Sequence, residues 1–365
     1  KTQPEVEALL KEYEFYYNIE EPDPDDESVP VLLQNNSIVT PFEAVTGMYS
    51  LPGRHDIDPT AILAPFYFLF FGLMLSDAAY GLILTTLCAI ILKKYKPEGT
   101  THRMIKMFMF CGLSTFMWGA LFGGWFGNFF TVAAKTFFGK EFVIRPLWFD
   151  PLSEPMRLLV VSLILGAIHL FVGMGVQAYM DIKDGRPLDA LFDIGLWYLL
   201  LIGIVLFAFG GKLGAGAVGI GKIMAIVGAV GILLTGGRKK KGIFGKLTGG
   251  LGSLYGITSY LSDVLSYSRL LALGLATGVV AQVFNTLGSL AGGGIAGSIL
   301  LIVVFAFGTV FNIAINALGA FVHSCRLQYV EFFGKFYTGG GRPFAPFERK
   351  TKYIKILKEG NDNVK

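Results

Sequence analysis

Two segments of about forty residues each flank the small-residue run Ala291–Gly297. Both are almost wholly apolar, and each carries one arginine deep inside it. Together they run from Leu251 to Phe333, with Arg269 in SYLSDVLSYSRLLALGLA and Arg326 in GAFVHSCRLQYVEFF. A helix of about forty residues is about 60 Å long, against a bilayer hydrocarbon core of about 30 Å. Either parts of these segments leave the membrane or the helices are strongly tilted. A guanidinium cannot shed its proton, and a charge at the bilayer centre costs several kcal/mol or more. Each arginine therefore requires a carboxylate partner or a wet cavity, which makes both functional-site candidates. The midpoint between them falls near Gly297, so a symmetric hairpin sets them at similar depth.

Composition excludes a soluble domain. The 365-residue chain is 53% hydrophobic and only 16% charged, with a mean hydropathy of +0.56, where soluble domains carry about 25% charge. Repeated apolar runs of eighteen residues or more predict an all-α polytopic membrane protein. The three cysteines, Cys88, Cys111 and Cys325, have no paired spacing, so neither a disulfide framework nor a metal site is expected. Charge is uneven: residues 1–60 hold 3 Lys/Arg against 13 Asp/Glu, and the remainder 28 against 14. The acidic end reads as a soluble appendage. A start at Lys1, without Met or signal peptide, is the start expected of a fragment whose N-terminal part is missing.

Residues 5–17 read as a helix and EEPDPDDESVP as a solvated linker. The first apolar run, about 61–92, is long for one span and short for two; Lys93, Lys94 and Lys96 place its end in the cytoplasm. Further spans are expected at about 104–133, 156–180, 190–210 and 214–235, with an external loop at about 134–154. The last of these segments, 214–235, is Gly-rich and should pack closely on its neighbours. The basic stretch 236–250 reads as a flexible cytoplasmic loop. Its GIFGKLTGG is no phosphate loop, because Leu247 follows Lys246 where Ser or Thr is required. The tail 334–365, with 8 Lys/Arg against 3 acids, is also expected in the cytoplasm. Splitting the first run gives about eight spans with both termini inside. No internal repeat is visible, which weakens a transporter of inverted halves.

Asn312, Asn316, Gly319, His323 and Arg326 recur at spacings of 4, 3, 4 and 3 and share one helix face. Such a stripe faces water, a partner or an ion path, or else holds the bundle together through amide hydrogen bonds. His323 fits a proton relay or a packing histidine. On the preceding segment Ser259, Ser262, Asp263, Ser266 and Arg269 share a broader face. Asp263 lies six residues from Arg269 and is no helical partner for it, so that carboxylate must come from elsewhere. Asp77, the one acid in the first run, lines a wet vestibule or hydrogen-bonds within the bundle. His169 and Asp193 stay equally open. Tyr67, Tyr80, Trp118, Trp125 and Trp148 read as packing or interface anchors.

Four stretches in order, NNSIVTPFEAVTGMYSLPGRHDIDPT, PFYFLFFGLMLSDAAYG, SYLSDVLSYSRLLALGLA and VHSCRLQYVEFFGKFYTGGGRPFAPF, resemble the membrane part of the large stator subunit of V-type and archaeal-type rotary ATPases. That subunit is called a in vacuolar enzymes and I in prokaryotic ones. The likeness covers about residues 28–348, and the lack of long eukaryotic-type loops points to a prokaryotic version. It implies a cytoplasmic arm ending at residues 1–60, two helices in the first run, six helices over 61–235, and two tilted ion-pathway helices over 251–333. The resemblance assigns Arg269 and Arg326 to ion translocation, facing carboxylates of a rotating proteolipid ring, and makes peripheral-stalk and central-stalk subunits partners of the arm. Asp263, Ser266, Asn312, Asn316, His323 and Asp77 are the candidate half-channel lining. Asn316 and Thr277 stand where eukaryotic members have a glutamate and a histidine, so their half-channel residues do not carry over. Ala79 replaces the usual glycine of a DxGYG-like motif.

The expectation is thus a non-catalytic stator that conducts H⁺ or Na⁺ through two half-channels, with no cofactor and no nucleic acid, in the cell membrane. The alternative is a self-contained secondary transporter or channel whose arginines bind an anionic substrate. An intramembrane enzyme lacks a nucleophile–base or metal-ligand cluster.

Overall fold

In the computed structural model, residues 3–20, 29–53, 56–139, 142–212, 214–238, 243–290 and 294–345 are described. Seven helical units among them are long and apolar enough to cross a bilayer: Ala78–Tyr95, Gly99–Phe122, Pro155–Lys183, Pro187–Ala208, Gly216–Thr235, Thr248–Ser289 and Gly297–Phe336. An eighth apolar helix, Thr60–Leu75, has 16 residues, about 24 Å of rise. The chain is an all-α polytopic membrane protein; its strands among the described residues are one two-residue pair, Pro30–Val31 beside Arg342–Pro343.

Helices α1 (Gln3–Glu12) and α2 (Glu43–Tyr49) precede the membrane segments. The first apolar run is two helices, α3 (Thr60–Leu75) and α4 (Ala78–Tyr95). The chain turns at Ser76, whose φ is 32°, and Asp77 caps α4 through the amides of Ala79 and Tyr80 at 3.0 and 3.2 Å. Both helices pack on α5 (Gly99–Phe122). A Cβ at Gly119 would overlap the Ala78 backbone, and one at Gly81 the Phe116 backbone, so small residues set this close approach.

The run read as one span over 104–133 breaks at Phe122. Gly123, at φ 74°, ends α5, and α6 (Phe129–Phe138) follows as a separate helix. The break is held from a distance: Asp77 also accepts the amides of Phe126, at 3.1 Å, and Gly127, at 2.9 Å. Next come α7 (Pro155–Lys183), a π turn at Ala190–Gly195, α8 (Leu196–Phe209) and α9 (Ala215–Thr235). The expected close packing of the Gly-rich helix is present: a Cβ at Gly221 would lie 2.6 Å from Phe207 N, and one at Gly228 2.8 Å from Leu200 N.

The stretch expected as a loop at 236–250 is helical from Ile243. There α10 (Ile243–Tyr255) lies against the end of α9, and Gly237 and Gly250 permit backbone contact that larger residues would block. Lys239, Lys240 and Lys241 lie outside the described residues. The first forty-residue segment is interrupted at Gly256 and Tyr267 into α10, α11 (Ile257–Ser266) and α12 (Ser268–Ser289). The second is α13 (Ile295–Arg326), continued by a π segment, Leu327–Phe333.

Helices α3, α5, α7, α12 and the end of α13 share the main core, with Tyr67, Phe70, Phe71, Tyr267, Phe332 and Phe333 buried in it. A smaller core around Trp197 joins α7, α8 and α9. The segments before α3 and after α13 interlock at one end of the bundle. Tyr329 donates to the Val45 carbonyl at 2.7 Å, Tyr337 to that of Ser50 at 2.8 Å, and Asp56 accepts from Thr338 and Gly339.

Candidate functional site

Helices α12 and α13 are antiparallel. Asn312 donates to the Thr277 carbonyl at 3.1 Å, and Gly319 lies beside Leu273. Four residues further along each helix, this register sets Arg269 opposite His323, with Arg326 one turn beyond. The two arginines therefore sit at similar depth, as the hairpin reading expects.

Arg269 finds its carboxylate in Glu331 of the π segment, Nη1 to Oε1 at 3.3 Å. The Ser266 hydroxyl donates to the same oxygen. The Arg269 side chain keeps 25% of its surface while that of Glu331 keeps 3%. Glu331 Oε2 is buried without a hydrogen-bond partner among the described residues. Arg326 is exposed and makes no ion pair or hydrogen bond among them. His323, between the two arginines, is half-buried. One cation is thus tethered on one side, and a second is free, on a surface otherwise lined by Leu318, Val322 and Val330.

Asp263 pairs with Lys335 at 2.5 Å, and that ammonium lies 4.3 Å from the Tyr260 ring centre. Tyr260 and Lys335 form one wall of a 440 Å³ cavity whose other polar lining is Gln177, Asp181, Arg186, Asp189 and Asp193. Arg238 bridges Asp189 and Asp193, at 2.5 and 2.8 Å, on its rim. The cavity lies at the end of the bundle where α7 terminates.

At the other end a 230 Å³ cavity is lined by Ser76, Asp77, Asn128, Thr131, Asp150 and Gln282, and reaches Gly274 and Gly278 of α12. Arg269 lies between the two cavities, five residues from Gly274 and nine from Tyr260. Those offsets are about 8 Å and about 14 Å of helix rise.

The remaining candidates sit apart from this cluster. Asn312 is fully buried, donating also to the Tyr80 hydroxyl at 3.0 Å, and Asn316 donates back to the Asn312 carbonyl at 3.1 Å. These amides stitch α13 to α4 and α12. Asp77 spends both oxygens on four backbone amides while bordering the second cavity. Among the described residues no group of three or more His, Cys, Asp or Glu is placed to hold a metal ion. The three cysteines are buried and unpaired.

Sequence reasoning passed over Glu331. Five residues after Arg326, it falls about 140° off the polar stripe on a regular helix. Its signal was that it is the lone acid of the segment. Lys335 and Tyr267 were likewise not singled out.

Residues 257–349 match the model of the V-type ATPase 116 kDa subunit family. Over those residues the chain is similar to that family. It is 36% identical to the A-type ATP synthase subunit I of Methanocaldococcus jannaschii, over 93% of this chain and 52% of that protein. It is also 36% identical to the subunit I of Thermococcus kodakarensis, over 97% of this chain and 54% of that protein. The V-type ATP synthase subunit I of Chlamydia muridarum is 25% identical over 94% of this chain and 60% of that protein. The chain thus spans about half the length of the archaeal relatives it matches. The matched segment contains Arg269, Arg326 and Glu331, so the site lies within the family's own sequence.

Proposed function

We propose that this chain is the ion-conducting, non-catalytic stator part of the membrane sector of a rotary ATPase, moving H⁺ or Na⁺ through two half-channels. The observation that carries the reading is Arg326, exposed and unpaired among the described residues, beside the half-tethered Arg269 in an apolar helical hairpin. An exposed cation at membrane depth calls for an anionic partner from outside the chain. Carboxylates of a rotating proteolipid ring meet that need. Each crosses lipid only when neutralised by its ion, because a bare charge there costs too much. Opposite Arg269 and Arg326 the ionised form is favoured, so the ion leaves.

The two cavities support separate aqueous access, since they approach Arg269 from opposite ends of the bundle. The cavity bordered by Asp181, Asp193 and Lys335 serves as the cytoplasmic half-channel and the one at Asp77 as the external half-channel. Arg269 between them blocks direct leakage of cations. Both ends of the chain then lie in the cytoplasm, where the arm before α3 meets peripheral-stalk and central-stalk subunits. ATP is hydrolysed or made on other subunits. The test is Arg269→Ala in the assembled complex with its full-length subunit. ATP-driven ion uptake into proteoliposomes should be lost; uptake at the wild-type rate would overturn the reading.

A further inference from the structure

The geometry points to His169 and Tyr267 as a buried positioning pair that holds Arg269, Ser266 and Glu331 in register for ion transfer. The inference rests on the function proposed above and adds residues to it.

Tyr267 is the junction residue between α11 and α12, directly after Ser266 and two before Arg269. Its backbone departs from regular helix there, so the direction of α12 depends on how this residue is held. Its ring lies against Gly166 of α7 so closely that a Cβ would overlap it. Its hydroxyl shares a hydrogen bond of 2.7 Å with His169 Nδ1. Tyr267 and His169 are both fully buried.

His169 also grips the other side of the site. Its ring stacks on Phe332, the neighbour of Glu331, at 4.3 Å between centres and 15° between planes. Phe66 packs on it at 4.4 Å and Phe70 edge-on at 5.1 Å. One α7 side chain therefore touches the residue after Ser266 and the residue after Glu331, the two groups that share an oxygen. Gln328, fully buried on the same π segment, lies within electrostatic range of the imidazole. His169 Nε2 and both polar atoms of the Gln328 amide lack hydrogen-bond partners among the described residues. Buried polar atoms are ordinarily satisfied, and each exception calls for an explanation such as bound water or a functional role. A histidine kept only to fill space would be replaceable by phenylalanine, with three aromatic rings already around it. The bond to Tyr267 is what the imidazole adds.

Neither residue touches the translocated ion; both act through the placement of the Arg269–Glu331 pair. A small misplacement of a charge at a transfer site lowers rate more than it lowers ion affinity.

The experiment uses the intact complex with its full-length subunit in proteoliposomes, with proton and sodium uptake both followed. Tyr267→Phe, His169→Phe, the double variant and Tyr267→Phe combined with Glu331→Gln are compared per assembled complex. Tyr267→Phe should assemble to wild-type levels and lower the maximal ATP-driven ion flux roughly three- to tenfold, with a half-saturating ion concentration within about twofold. The double variant should be no slower than the slower single one. Tyr267→Phe should add nothing to Glu331→Gln. Wild-type flux in Tyr267→Phe would overturn the proposal. So would a loss that multiplies with Glu331→Gln, or one wholly accounted for by less assembled complex. Arg269→Ala in parallel separates the two claims: normal pumping there sinks the stator reading, whereas a dead Arg269→Ala beside a normal Tyr267→Phe sinks only this one.

Discussion

Glu331 reaches Arg269 with one carboxylate oxygen at 3.3 Å while its other oxygen is buried without a partner among the described residues. An ion pair engaged on one side has two consequences. The arginine is held near the exposed surface of α12 and α13, and the carboxylate does not fully occupy its donors. A passing acid can then compete for the guanidinium without first breaking a saturated pair. Glu331→Gln keeps the shape and the Ser266 contact but removes the charge. The complex should assemble, and ATP-driven ion flux should fall roughly tenfold, the equivalent of about 1.4 kcal/mol of misplaced or over-tightly bound charge. Flux measurements in proteoliposomes read this directly, and unchanged flux would show that Arg269 does not depend on Glu331.

Asp263 and Lys335 join α11 to the short helical turn Gly334–Phe336 after the π segment at 2.5 Å, with side chains only 19% and 16% exposed. Removing one partner leaves a half-buried charge, so Lys335→Met or Asp263→Asn should each destabilise by about 1–3 kcal/mol. The double variant should recover some of that loss, because no lone charge remains. Thermal unfolding is readable through Cys88, Cys111 and Cys325, which are buried in the native state. A thiol-reactive dye should report lower midpoints for both single variants and an intermediate one for the double.

The span positions were legible because each crossing needs a long apolar run, and a run shows itself without knowledge of its neighbours. Arg269 and Arg326 stand out in the sequence because a guanidinium in such a run has few explanations. The end of α5 at Phe122 does not. It depends on Asp77, a residue more than forty positions upstream that binds the amides of Phe126 and Gly127. A local pattern carries no trace of that partner. Glu331 was missed for a geometric reason: stripe counting assumes about 100° per residue. The segment Leu327–Phe333 is wound as π helix, closed by i→i+5 bonds. The wider turn changes where a residue five positions on points, and here it points inward to Arg269. The same assumption made Asn312 and Asn316 continuous with Arg326, although their amides are spent on Tyr80, Thr277 and each other.

Gly119 tests whether small residues set the packing of α4 on α5. A Cβ there would overlap the backbone of Asp77 and Ala78, which cannot rotate aside. Gly119→Ala gains helix propensity, by about 1 kcal/mol at most. It must also push the helices apart at the turn that Asp77 organises, a cost of typically about 1–3 kcal/mol or more for overpacking. The sign is therefore destabilising. Gly47→Ala is the matched control, since a Cβ there meets nothing within 4 Å. The thiol-dye midpoint should fall in the first variant and hold or rise in the second.

Asp77 carries the last prediction. Its two oxygens receive amides from Ala79, Tyr80, Phe126 and Gly127, and the residue is 3% exposed. Asp77→Ala strands four donors at once, two of them at the N-terminus of α4, where a lost cap alone costs about 1 kcal/mol. Unsatisfied buried donors cost about 1–3 kcal/mol each, although water from the adjoining cavity can reach some of them. A net loss of roughly 2–4 kcal/mol is expected. Asp77→Asn retains one acceptor oxygen, so it should keep the α4 cap and the Phe126 amide, which share Oδ1, but lose the Gly127 bond to Oδ2, and should lie between Asp77→Ala and wild type. If Asp77 instead served chiefly as an ion ligand in the external half-channel, the order would differ by assay. Asp77→Asn would then unfold like wild type yet pump no better than Asp77→Ala. Measuring midpoint and flux on the same preparations separates a turn-holding carboxylate from an ion-carrying one.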